Sequence, residues 1–209
     1  FFPKIWQDCY EVNSDHRFFN SVFSYFDKAI KQEYPEVYKI ASGKLKIGRR
    51  RVDDSESDFV VDCQLGSSRP KSKNGKILLP HVDNPVELFA CLVYFRNPKD
   101  VSTGGDLEVF SWRSNFKLQA GKSRIPKVLL EVEKIVKYKS NCGLIFLNTP
   151  TSIHGVTPLN NATLDRRLLN IICEVYPTFP DGLFLKSDIA PSSSFIDRSI
   201  RRLGLPGFG

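Results

Sequence analysis

Ile77-Leu78-Leu79-Pro80-His81-Val82-Asp83-Asn84-Pro85 is the stretch on which this chain turns. It begins as a short apolar run, a strand candidate. It ends on a histidine and an aspartate two positions apart, flanked by prolines. Strand side chains alternate faces, so His81 and Asp83 point the same way. One strand end can therefore aim an imidazole and a carboxylate at a single point while the backbone turns away. The chain has 3 histidines, His16, His81 and His154. His154, within Ser152-Ile153-His154-Gly155-Val156-Thr157-Pro158, lies on a second predicted strand and can complete a two-histidine, one-carboxylate face. Such a face leaves three positions of an octahedral ferrous ion open. His16 opens an amphipathic helix, has no comparable context and is expected to be structural. Asn84 either orients Asp83 or serves the turn before Pro85.

Upstream, Ser14 or Asp15 can cap a helix over roughly residues 15–33, with Phe18, Phe19, Val22, Phe23, Phe26 and Ile30 at helical spacing as its buried stripe. After Tyr34-Pro35 the pattern changes to short apolar or alternating runs. Strands are expected at Tyr38–Ile47, Phe59–Leu65, Ile77–His81, Leu88–Arg96, Asp106–Trp112, Lys134–Lys139, Gly143–Leu147, Ser152–Val156 and Arg167–Val175. Short strands at such spacing behind a leading helix predict a mainly β fold, a sandwich or jelly roll with helical cover. Residues 69–76 are polar and rich in breakers, and predict a loop at the mouth of the site. Residues 113–131 predict a longer insertion, and 192–203 a short helix. With no repeat and no dividing linker, one domain covers 1–209: a helical cover over about 1–35, a barrel over about 38–177 and an extension over 178–209.

Composition is ordinary for a globular chain of 209 residues, with 41% hydrophobic, 25% charged and 16 phenylalanines. No apolar run reaches the roughly 18–20 residues that a bilayer-spanning helix needs. The start, Phe1-Phe2-Pro3-Lys4, carries neither a signal pattern nor an initiator methionine, so a targeting segment would lie upstream. The 5 cysteines (Cys9, Cys63, Cys91, Cys142, Cys173) are scattered and form no CxxC, which argues against a disulfide framework or a structural zinc site. A reducing, cytoplasmic or other intracellular setting is expected. The net charge of +7 gathers at Lys44, Lys46 and Arg49-Arg50-Arg51, beside Asp53-Asp54-Ser55-Glu56, and again at Lys117, Lys122, Arg124 and Lys127. These groups lack the aromatic interleaving of a stacking platform, so a solvated surface is expected rather than nucleic-acid binding.

The strand around Tyr94 (Leu92-Val93-Tyr94-Phe95-Arg96-Asn97) follows, then Thr103-Gly104-Gly105-Asp106-Leu107-Glu108-Val109-Phe110, the His154 segment, and Arg166-Arg167-Leu168-Leu169-Asn170-Ile171-Ile172. In this order the motifs resemble the Fe(II)/2-oxoglutarate-dependent dioxygenases, and among them the prolyl 4-hydroxylase-like branch. The resemblance covers about residues 60–177. It implies a double-stranded β-helix with Fe(II) held by His81, Asp83 and His154. The implied cosubstrates are 2-oxoglutarate and O2, with ascorbate as a reductant. It also implies an arginine for the distal carboxylate of 2-oxoglutarate. Arg166 and Arg167 are the candidates, slightly late for the family spacing. Alternation lets one of them face inward, and the resemblance, in which the first of paired arginines often has the binding role, favours Arg166. Tyr94 matches the family's cosubstrate-binding tyrosine and is equally a core aromatic. Gly104 and Gly105 are expected to serve a turn. The implied substrate is a peptidyl proline, with a small metabolite as the alternative. A nucleic-acid dealkylase would carry an Arg-x-Asn-x-x-x-Arg spacing that Arg166–Ile172 lacks. A non-catalytic barrel that binds a ligand is the alternative from another class.

Overall fold

The computed structural model describes residues 3–68, 74–75, 78–113 and 125–184. Four helices lead the chain: Lys4–Asn13 (α1), His16–Tyr25 (α2), Asp27–Glu33 (α3) and Pro35–Ala41 (α4). Twelve strands follow among the described residues: Ile47–Arg49 (β1), Phe59–Ser68 (β2), Asn74–Gly75 (β3), Leu78–His81 (β4), Glu87–Tyr94 (β5), Thr103–Gly104 (β6), Leu107–Trp112 (β7), Leu130–Val136 (β8), Cys142–Leu147 (β9), His154–Val156 (β10), Leu159–Asn160 (β11) and Arg166–Glu174 (β12). Single 3-10 turns occupy Asp54–Glu56 and Lys127–Leu129.

The helical cover differs from the expected single helix. Asp15 caps α2 by accepting the Phe18 N–H at 2.9 Å, as its position suggested. The helix then breaks at Phe26, so residues 15–33 form two helices rather than one. The expected strand at Tyr38–Ile47 is helical up to Ala41, and only Ile47 joins a strand. Proline at the first position of a helix needs no N–H partner and has its φ preset. Pro35 starts α4 rather than breaking a helix. The helix α1 buries no residue fully; Trp6, Cys9 and Tyr10 are only partly covered, which leaves a weak apolar stripe. The strand expected at Lys134–Lys139 begins earlier, at Leu130, because it pairs along the length of β7. Residues 69–73, 114–124 and 185–209, which hold most of the expected mouth loop, much of the insertion and the C-terminal helix, lie outside the described residues.

Three sheets are formed, in the orders β1-β2-β12-β5-β9, β4-β10-β7-β8 and β3-β11-β6. All pairings are antiparallel except β1 with β2. The five-stranded sheet uses its two faces differently. Outward, Phe59, Val61, Phe89, Cys91, Leu169, Ile171 and Cys173 pack against Phe19, Val22, Ile30 and Val37 of the helices. Each fully buried side chain of this size contributes about 1.5–3 kcal/mol through removal from water. Inward, the alternate residues Arg166, Leu168, Asn170 and Ile172 line a cavity of about 420 Å³. Leu78, His81, Leu107, His154 and Val156 of the four-stranded sheet form its opposite wall. The period-two alternation of β12 thus separates a helix-packed core from a polar-ended cavity.

Candidate metal centre

The register of β4 with β10 builds the centre. His154 pairs directly with His81 across these strands. Side chains opposite one another in antiparallel strands have Cβ atoms about 4.5–5.5 Å apart. The imidazole centroids are accordingly 4.4 Å apart. Gly155 permits the approach, since a Cβ there would come within 3.1 Å of the Pro80 nitrogen. Asp83, two residues past His81, returns beneath both rings. Its Oδ1 lies 3.4 Å from His81 Nε2 and 3.6 Å from His154 Nε2. The three ligand atoms all fall within 4.8 Å of one another.

Each imidazole is oriented through its other nitrogen. His81 Nδ1 lies 2.9 Å from the Leu79 carbonyl, and His154 Nδ1 lies 3.0 Å from that of Ser152. An Nδ1–H donated to a carbonyl leaves the Nε2 lone pair free for a metal. Phe146 packs on His154 with centroids 4.8 Å apart. Electrostatics divides the two rings. Burial alone would depress His81, but its hydrogen bond to Asp83, the Leu79 carbonyl and the Asp83 charge outweigh that and raise it. Burial holds His154 below the ordinary histidine range, with Asp83 offsetting part of the effect. Asp83, which burial alone would raise, is held below its ordinary value by the His81 hydrogen bond and the two neighbouring imidazoles. With bonds of about 2.1 Å, a divalent ion sets neighbouring ligand atoms about 3.0 Å apart in an octahedron and about 3.4 Å in a tetrahedron. The donor set and its spacing therefore fit a small divalent cation.

The same cavity holds a buried cation. Arg166 is 4% exposed, and its Nε–H donates to the Gly105 carbonyl at 3.0 Å. Its guanidinium carbon lies 4.9 Å from the Tyr94 ring and 5.1 Å from the Tyr138 ring. Burial lowers the Arg166 pKa, opposed by the two tyrosines. Among the described residues no carboxylate forms an ion pair with it; Asp106, the nearby acid, is engaged by Lys137 and by the Tyr138 N–H. Among the described residues Ser68 Oγ, a further buried polar atom, has no hydrogen-bond partner, and Tyr94 Oη has none beyond the Arg166 guanidinium beside it. Ser68 pairs with Arg166 and Tyr94 with Leu168, so all three side chains share the inward face. A guanidinium with two hydroxyls nearby is a fitting cradle for a carboxylate.

Of the two arginines, Arg167 is exposed and points away from the cavity. Its backbone N–H donates to the Tyr138 hydroxyl at 3.0 Å, which fixes the ring beneath Arg166. Tyr94 is fully buried, and burial raises its pKa, with the Arg166 charge pulling the other way. Gly104 and Gly105 both have positive φ (82° and 71°), and a Cβ on Gly104 would meet the Pro158 oxygen at 1.9 Å. They form the expected turn, and Gly105 also supplies the carbonyl that holds Arg166. His16 is exposed at the start of α2, away from the centre. The Asn84 carbonyl receives the Glu87 N–H at 2.8 Å in a turn.

Several contributors escaped the sequence reading. Asn148 is fully buried, and its Nδ2 donates to the carbonyls of Asn84 and Glu87, both at 2.9 Å. Its Oδ1 accepts from Ser152 Oγ at 3.2 Å, and its carbonyl accepts from Tyr34 Oη at 2.7 Å. One amide thus ties the turn behind Asp83 to the segment that orients His154. Glu87, on the cavity wall, has its carboxyl pushed up to about 8 by burial and by the charges of Asp83 and Glu174. An asparagine after an apolar strand was the only signal for Asn148; Glu87, Ser68 and Tyr138 gave none.

Comparison with protein-family models and with curated proteins returns no match for this chain. Among the described residues, no helix is long and apolar enough to cross a membrane.

Proposed function

We propose that the chain is an Fe(II)- and 2-oxoglutarate-dependent dioxygenase that hydroxylates an organic substrate, with a peptidyl proline as the substrate class. The observation that carries this reading is Arg166, a buried guanidinium with no carboxylate partner among the described residues, in the cavity that also holds the two-histidine, one-carboxylate triad. A triad alone would suit several divalent ions. A triad that shares its cavity with such a cation calls for a ligand with a chelating head and an anionic tail, as 2-oxoglutarate has. The strand order supports the double-stranded β-helix expected from the motifs, since β2-β12-β5-β9 and β4-β10-β7-β8 are two four-stranded stacks with the cavity between them. The five cysteines are all free, which supports an intracellular, reducing location.

Bound Fe(II) and 2-oxoglutarate would supply oxygen activation and the oxidising power for hydroxylation. His81, Asp83 and His154 would hold the metal, and the carbonyls of Leu79 and Ser152 keep both imidazoles aimed. Arg166, steadied by Gly105 and the tyrosine rings, would grip the distal carboxylate, with Tyr94 Oη and Ser68 Oγ as further donors. Phe146, Leu92, Leu107 and Leu168 line the walls with apolar surface.

The test is anaerobic titration of the protein with Fe(II) and then 2-oxoglutarate, following the weak visible charge-transfer band. The band is expected in the wild type and absent in His81→Ala and Asp83→Ala. No band in the wild type, or undiminished conversion of 2-oxoglutarate to succinate in Asp83→Ala, would overturn the assignment.

A further inference from the structure

Two carboxyl groups, Asp83 and Glu87, line the metal end of the cavity, and two more, Asp62 and Glu174, stand on the neighbouring strands; their partners differ. Asp83 faces both imidazoles. Glu174 and Asp62 share the Arg50 guanidinium, which hydrogen-bonds Glu174 and lies 3.2 Å from Asp62. Arg50 follows β1 and reaches over the ends of β2 and β12, so it neutralises the far side of this rim. Glu87 is left. It starts β5, lines the cavity with the triad and stands opposite Glu174 in the β5–β12 register. Among the described residues no cation forms an ion pair with it, and Arg50 acts on it only at longer range. The Asn84 backbone amide is the donor its carboxyl has.

A partly buried carboxyl is costly to keep charged unless a cation or several donors meet it. At the metal centre and around Arg50 the fold supplies counter-charge. At Glu87 the described residues supply only the distant Arg50 charge, and the group faces the space a substrate would enter. We infer that Glu87 is a substrate-recognition residue and that the substrate of the proposed oxygenase carries a positively charged nitrogen, an ammonium or guanidinium, which Glu87 receives. This rests on the oxygenase reading and narrows it to peptides with a basic side chain beside the residue that reaches the metal. Glu87 acts by binding, and the hydroxylation chemistry is unchanged.

The experiment uses prolyl peptides that differ only in the residue next to proline: lysine against norleucine, and arginine against citrulline. Binding to protein loaded with Fe(II) and 2-oxoglutarate under anaerobic conditions is measured by calorimetry, and a +16 Da product is read after admission of air. The lysine and arginine peptides should bind at least about thirtyfold tighter than their neutral counterparts, the low end for a buried charge pair. Glu87→Gln should erase that preference while keeping the charge-transfer band, which reports an intact site. Equal affinity for charged and neutral peptides, a preference that survives in Glu87→Gln, or no binding of either peptide while the band is present would overturn the inference. Absence of the band in the wild type would instead strike the oxygenase reading, and the charge preference in binding, which needs no turnover, still decides the role of Glu87.

Discussion

Glu87→Gln should stabilise the metal-free protein in alkali and leave it nearly unchanged in acid. The Glu87 carboxyl is pushed up to about 8 from 4.5, first by burial and then by the charges of Asp83 and Glu174, with the Asn84 amide and Arg50 opposing. Its folded pKa lies above its unfolded one, so the folded protein keeps a proton that the unfolded chain has lost. Stability must then fall as pH rises from about 4.5 to about 8 and level off above that. At about 1.36 kcal/mol per pKa unit, the ceiling is about 5 kcal/mol. The carboxyl borders a cavity that water can enter, which screens its neighbours, so about 2–3 kcal/mol is expected. Glutamine keeps the shape without the charge. Urea unfolding of chelator-treated wild type and variant, at pH 5.5 and pH 8.5, reads the effect. Comparing the two proteins at each pH cancels the titration of groups they share, His81 and His154 included. The advantage of the variant should grow by about 2 kcal/mol between the two, a midpoint shift of about 1 M for a urea slope of about 2 kcal/mol/M. A divalent ion at the triad offsets the Asp83 charge, so metal loading should narrow the gap. An advantage that is flat with pH, or a variant less stable than wild type at pH 8.5, would refute the reasoning.

Arg166→Ala should weaken 2-oxoglutarate binding by about a hundredfold, the scale of losing a bidentate charged contact of about 3 kcal/mol, whereas Arg167→Ala stays near wild type; the anaerobic charge-transfer titration measures both. Arg166→Lys keeps the charge but loses the planar fork, and should recover only part of the affinity. Asn148→Ala removes two donated hydrogen bonds and the acceptor of Ser152 Oγ. It should cost about 2–4 kcal/mol in urea unfolding and lower metal affinity about tenfold or more, read by competition with a chelator.

The sheets were legible because their strands are short apolar runs between turns, and β2, β4, β5, β7, β9, β10 and β12 lie close to where those runs fall. The helices were less so. The α2–α3 stripe was visible because Phe19, Val22 and Ile30 are its buried face. In α1 nothing is fully buried and in α4 a proline disguises the start, so local pattern held little to read. The triad residues were legible for a local reason: His81 ends a strand with Asp83 two residues beyond it, and the third sits in a strand of similar character. Which arginine turns inward was not, because alternation fixes only that Arg166 and Arg167 differ. The pairing of Leu168 with Tyr94 and of Arg166 with Ser68 sets the face, and pairing is a long-range property.

The same distinction separates what the cavity would do from what it would choose. Metal ligation and carboxylate capture rest on groups whose chemistry is apparent from the side chain alone: imidazole, carboxylate, guanidinium. Recognition rests on which charges remain uncompensated once the chain has folded, and that emerges only when the partners are counted. Asp62 and Glu174 look like Glu87 in sequence. Arg50, reaching across from the end of β1, makes them structural, and its failure to pair with Glu87 leaves that carboxyl for an incoming cation. On the proposed reading, moving counter-charge toward Glu87 would change substrate preference without touching the triad, since one fold can serve many substrates.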